Sequence, residues 1–209
     1  MPGRITPLVN QEFYHIYNRG SEKRNIYQQP RDYKRFQQTF YYYQFLGPKP
    51  KFSNFTKTNL FKSSFDSKIV EIICYSLMPN HFHFLVKQDK INGLKMFLHR
   101  LCTSYSSYFN KKYGRVGHIF QGIYKSKVVL EDSYLTQLTA YIHLNPSRPF
   151  EWKYYSMPTY LGKETSGLAK SEMFMDMHKL TPENYKLFLR KNYNPENLTM
   201  AALTFDEED

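Results

Sequence analysis

Apolar positions along this chain switch between a period of two and a period near 3.6. Residues 11–20, "QEFYHIYNRG", alternate and are rich in β-forming side chains, which predicts a strand through residue 18 and a turn at Gly20. Residues 28–47 place Tyr33, Phe36, Phe40 and Tyr43 at helical spacing. Pro30 suits the first turn of that helix and Gly47-Pro48 stops it. "KIVEIICYSL" (68–77) reads as a buried strand and "HFHFLVK" (81–87) as a second, with "MPN" turning between them. Residues 93–114 carry Leu94, Phe97, Leu98, Leu101, Tyr105 and Tyr108 on one broad helical face. Residues 122–131 predict another strand. Residues 132–146 predict a helix that starts at an Asp132 or Ser133 cap and closes before Pro146. A cap, a proline and an apolar stripe predict one more helix over 181–193.

The first six elements run strand, helix, strand, strand, helix, strand. That is the split βαβ, or ferredoxin-like, order. The expected fold is α+β, an antiparallel sheet with helices on one face, followed by a C-terminal helical extension. Residues 1–162 form the expected main domain, and 163–209 the extension with its acidic tail. Residues 48–67 have no clear period and read as a long basic loop, of a length that is uncommon unless functional or mobile.

Composition narrows the class of partner. The 209 residues suffice for a core, and 41% hydrophobic content argues against disorder. The formal charge is +11, and several of the acids sit in the closing "FDEED", so the body is more basic than the total says. A basic, aromatic-rich body points to an anionic partner, nucleic acid first, rather than to a small-molecule substrate. Cys74 and Cys102 make neither a disulfide framework nor a zinc spacing, and Cys74 is expected in the core. No stretch approaches about 20 apolar residues, and the N-terminus lacks an apolar signal segment. The expectation is a cytoplasmic protein with no membrane partner.

The stretch "SLMPNHFHFLVK" (76–87) carries the chemistry. In a strand, residues i and i+2 face the same way, so His81 and His83 share one face while Phe82 and Phe84 enter the core. Two imidazoles on one face can reach one ion, and an added oxygen ligand tilts such a site toward hard divalent metals. The plain alternative is a pair of solvated histidines on an open sheet face. On the helix at 132–146, Tyr134, Leu138, Tyr141 and Asn145 step by four, three and four and share a stripe. If that helix packs near the histidine strand, Asn145 can supply the oxygen and Tyr141 sets its hydroxyl beside the metal. The alternative is a tyrosine half-buried in a helix face. His15 and His143 are nearby histidines without an assigned role, and His118 is expected to be structural.

"YHIYNRG", "LMPNHFHFLVK", "GHIFQGIYKSK" and "YIHLNPSRP", in this order and spacing, resemble the single-tyrosine HUH transposases. The likeness is strongest to the REP-associated tyrosine transposases and their insertion-sequence relatives, and covers roughly residues 11–162, the expected main domain. The resemblance implies a ferredoxin-like fold. It implies a divalent metal, Mg²⁺ or Mn²⁺, on His81 and His83 with Asn145 completing the site, and Tyr141 as the nucleophile. It also implies a substrate of single-stranded or hairpin DNA, a nucleoid-associated location and strand transfer through a 5′-phosphotyrosine. Arg19, Lys23, Arg24, Lys125 and Lys127 are the candidate DNA contacts. Some relatives exchange the tyrosine helix between subunits, so a homodimer stays open. Ile123 stands where many relatives carry arginine, which puts one DNA contact in doubt. The same residues also fit a domesticated hairpin-binding protein without transposition, or a nicking endonuclease of the same fold.

Overall fold

The structure is a computed structural model that describes residues 8–46, 52 and 67–193. The expected basic loop at 48–67 lies almost wholly outside the described residues, as does the acidic tail. The elements are β1 (Phe13–Arg19), α1 (Pro30–Tyr43), β2 (Val70–Met78), β3 (His81–Gln88), α2 (Gly93–Tyr113), β4 (Lys125–Val129), α3 (Asp132–Leu144), α4 (Met157–Tyr160), α5 (Ser171–Met177) and α6 (Pro182–Asn192). The four strands pair antiparallel in the order β2-β3-β1-β4. This is the ferredoxin-like sheet that the element order predicts.

Strand alternation sorts the sheet into two faces. Tyr14 and Ile16 of β1, Phe82, Phe84 and Val86 of β3, and Tyr75 and Leu77 of β2 pack under α1 and α2. Leu85, Cys74, Ile73 and Val129 point the other way and pack under α3, with Phe174 of α5 and Tyr185 and Leu189 of α6. The expectation of helices on one face is therefore corrected to helices on both. The cause lies in β2, which is buried along all nine of its residues. A register shift between Ile72 and Cys74 lets Ile73 and Cys74 join the second core together. One-sided packing would leave these side chains and Leu85 in water, at about 1.5–3 kcal/mol for each large apolar side chain.

Helix α3 is held in place by a buried histidine. His143 Nδ1 lies 2.7 Å from the Tyr185 hydroxyl of α6, and its Nε2 lies 2.8 Å from Ser156 Oγ. Ser156 Oγ in turn accepts the Tyr75 backbone N–H of β2 at 2.9 Å. Burial lowers the His143 pKa to about 3, so the ring is neutral and both nitrogens are free for neutral hydrogen bonds. This contact ties the helix that carries Tyr141 and Asn145 to β2 and to α6. The helix starts at Asp132 after Glu131, with no side-chain cap, where a cap at Asp132 or Ser133 is expected from the sequence. No helix among the described residues is long and apolar enough to cross a membrane.

Candidate active site

The site forms where α3 crosses the second face of the sheet. Register fixes the neighbours: Arg19 lies opposite His81, Tyr17 opposite both His83 and Lys125, and His15 opposite Lys127. Opposed residues in an antiparallel pair share a face, so His15, Tyr17, Arg19, His81, His83, Lys125 and Lys127 all project from one side. The structure thus brings the two predicted histidines together with Arg19, Lys125 and Lys127. From α3, Asn145 Oδ1 comes to 3.1 Å from His81 Nε2. The Tyr141 ring meets the His83 ring edge-on, with centroids 5.4 Å apart. Tyr141 is 5% exposed and His83 fully buried, so the solvated-histidine alternative does not hold.

The hydrogen bonds fix the proton on His81. Asn80 Nδ2 donates to the Lys23 carbonyl at 3.3 Å, which turns Asn80 Oδ1 toward His81 Nδ1, 2.6 Å away. An amide oxygen only accepts, so Nδ1 carries the hydrogen and Nε2 carries a lone pair. Burial lowers the His81 pKa to about 4 and outweighs the opposing contact with Asn145; Arg19 lowers it further. The ring is therefore neutral, and two acceptors, Nε2 and Asn145 Oδ1, face each other. Burial, followed by His15, His81 and Arg19, also holds the His83 pKa well below its usual range. His83 Nε2 is buried and has no hydrogen-bond partner among the described residues.

These groups fit a divalent cation. Octahedral Mg²⁺ binds oxygen ligands at about 2.0–2.1 Å, which sets adjacent ligands about 3 Å apart. The Nε2 to Oδ1 separation matches that spacing. Facing lone pairs repel unless a cation lies between them, and neutral imidazole is the ligating form. Among the described residues no group of three or more His, Cys, Asp or Glu converges on a metal position. The third donor here is an amide oxygen, outside that set.

The other predicted DNA contacts sit at the rim. Lys23 and Arg24 lie in the turn after β1, beside the β2–β3 turn. Lys23 is exposed, and Arg24 is paired with Glu22 at 2.8 Å. The Lys127 ammonium lies 5.9 Å from the Tyr134 ring centroid. His118, expected to be structural, is exposed on the segment before β4. Two residues without a sequence-assigned role belong to the site. His15 Nε2 contacts His83 Nδ1 at 2.9 Å, and Tyr17 stacks on His83 with centroids 5.7 Å apart. The signal for both is the alternation His15, Tyr17, Arg19 on β1, which becomes informative once β1 is paired with β3.

Comparison with known proteins gives a family-model match and likenesses of fold. Residues 52–145 match the family model described as "Transposase IS200 like". No curated protein matches the chain. A solved structure described as the REP-associated tyrosine transposase bound to a REP hairpin is similar at 10% identity and a TM-score of 0.54. The match covers 82% of this chain and 90% of that one, and at this identity it speaks to the fold. A bacterial tRNA(His) guanylyltransferase-like protein in complex with ATP follows at 10% identity and a TM-score of 0.43, over 90% of this chain and 74% of that one. The stretch that matches the IS200-like transposase model holds His81, His83, Tyr141 and Asn145.

Proposed function

We propose that this protein binds structured single-stranded DNA and cuts and rejoins it through a covalent 5′-phosphotyrosine on Tyr141. The observation that carries the reading is the Tyr141 ring set against His83 while Asn145, one turn on, meets His81. A family match and a hairpin-bound structural relative support the substrate class.

His81, His83 and Asn145 would hold a divalent cation, Mg²⁺ or Mn²⁺. Such an ion supplies Lewis-acid polarisation of the scissile phosphate. The chain's own residues do the rest. The Tyr141 oxygen bonds to phosphorus as the bond from phosphorus to the 3′ oxygen breaks. The tyrosine proton is lost, and the leaving 3′ oxygen gains one to become a hydroxyl. The phosphotyrosine retains the energy of the original ester, so a second 3′-hydroxyl reverses the step and joins a new strand without ATP. Arg19, Lys125 and Lys127 lie on the same face as the histidines and meet the phosphate backbone, with Lys23 and Arg24 at its edge. Tyr17 offers a ring for a stacked base.

The test is covalent trapping. Labelled single-stranded hairpins from the DNA flanking the gene are mixed with protein and Mg²⁺ or Mn²⁺ and run on a denaturing gel. The expected result is a metal-dependent adduct that disappears in Tyr141→Phe and in His81→Ala. Tight hairpin binding without an adduct under either metal would replace this reading with a binding protein that does no chemistry.

A further inference from the structure

Two fully buried histidines from neighbouring strands meet here, and only one of them is a candidate ligand. His15 Nε2 and His83 Nδ1 are 2.9 Å apart, and the rings stack at 15° with centroids 5.1 Å apart. Burial lowers the pKa of both rings, with Lys127 adding to the effect at His15 and His15 itself at His83. Two neutral imidazoles share one proton across such a contact. In one arrangement His83 Nδ1–H donates to His15 Nε2, and His83 Nε2 keeps its lone pair. In the other, His15 donates, and the His83 proton moves to Nε2. Only the first arrangement leaves His83 Nε2 able to hold a cation, because a ligating imidazole nitrogen must present its lone pair.

We propose that His15 is a positioning residue: as the acceptor for His83 Nδ1–H, it fixes the tautomer and ring orientation that present His83 Nε2 as a metal ligand. The inference rests on the metal reading above and goes beyond it. Ligating histidines commonly give their second N–H to a carboxylate or carbonyl. Here the acceptor is a neutral imidazole, which adds no charge in a fully buried place where an ion would be costly. Asn80 does the equivalent for His81, so each candidate ligand has its own partner.

The test measures Mn²⁺ affinity by calorimetry, without DNA, and reads the His83 tautomer by nitrogen-15 NMR in the metal-free protein. His15→Phe keeps a flat ring and removes the acceptor. The expected result is a loss of about 10–100-fold in Mn²⁺ affinity. His15→Gln, which restores an acceptor, recovers most of it. In a His83→Ala background, His15→Phe causes no further loss, because the two act through one contact. The wild-type His83 signal shows the proton on Nδ1. Wild-type affinity in His15→Phe, or losses that add in the double variant, would overturn the proposal. So would a wild-type His83 protonated at Nε2, a reading that stands even if His15→Phe fails to fold. A wild type that binds no Mn²⁺ brings down the metal reading itself, and the proposal with it.

Discussion

Replacing Asp32 with asparagine should destabilise the protein by about 3 kcal/mol, near the low end of the range for breaking a buried ion pair. Asp32 is fully buried at the start of α1. Its Oδ2 accepts from the backbone N–H of Gln28 at 2.9 Å and of Gln29 at 3.0 Å, and from the Tyr113 hydroxyl at 2.6 Å. Its Oδ1 accepts from the Tyr108 hydroxyl at 2.8 Å and from Lys112 Nζ at 2.6 Å. An asparagine must place its NH₂ at one of these two positions. At Oδ2 the NH₂ faces two backbone N–H groups, and at Oδ1 it faces an ammonium. Neither orientation avoids a donor-to-donor clash. The Lys112 side chain is 22% exposed and can turn to water, which is why the lower end of the range applies. The matching fall in melting temperature is about 6–12 °C, at about 2–4 °C per kcal/mol for a chain of this size.

The pH dependence of the same variant has a definite sign. Burial alone raises the Asp32 pKa, but Lys112, Tyr113, Gln28 and Tyr108 together outweigh it and hold the carboxyl below its usual range. A depressed folded pKa stabilises the fold above the unfolded value, about 3.9 for aspartate. That stability is lost as pH falls through the folded pKa. Thermal melts followed by circular dichroism at pH 6 should therefore show the full gap between wild type and Asp32→Asn, and the gap should close in acid. A gap at pH 6 no larger than the roughly 1 kcal/mol of an exposed ion pair would refute the reasoning. So would a gap that widens in acid. The consequence reaches the site, because α1 and α2 back Phe82 and Phe84, the side chains that alternate with the histidines on β3.

Further outcomes follow from other parts of the structure. Asn145→Asp adds a negative charge to the candidate ligand set, so Mn²⁺ should bind more tightly by calorimetry, whereas Asn145→Ala should bind more weakly. His143→Ala removes the contacts to Tyr185 and Ser156, and the melting temperature should fall by an amount equivalent to about 1–3 kcal/mol. Lys125→Ala and Lys127→Ala should each weaken single-stranded DNA binding in fluorescence anisotropy. For each, the slope of log affinity against log salt should flatten by about 0.7; an unchanged slope would remove that lysine from the phosphate contacts.

Much of the sheet is legible in single residues. His81, Phe82, His83 and Phe84 alternate cleanly, and the structure places the phenylalanines in one core and the histidines on the opposite face. The stripe of Tyr141 and Asn145 is equally plain, since helical spacing alone puts them one turn apart. The side of the sheet that α3 covers is not legible, because β2 is apolar at nearly every position and shows no alternation. The His15 contact is hidden for a different reason. It depends on which residue of β1 lies opposite which residue of β3, a register that one sequence does not contain. α4 and α5 are short, and Pro158, Gly162 and Gly167 interrupt any helical period around them.

The central claim is that Tyr141 becomes covalently attached to DNA, and peptide mapping tests it most directly. The trapped complex is digested with nuclease and trypsin, and the nucleotide-bearing peptide is sequenced by mass spectrometry. The account predicts a single modified peptide, with the phosphate on the Tyr141 oxygen. A nucleotide found instead on Tyr17 or Tyr134 would contradict it.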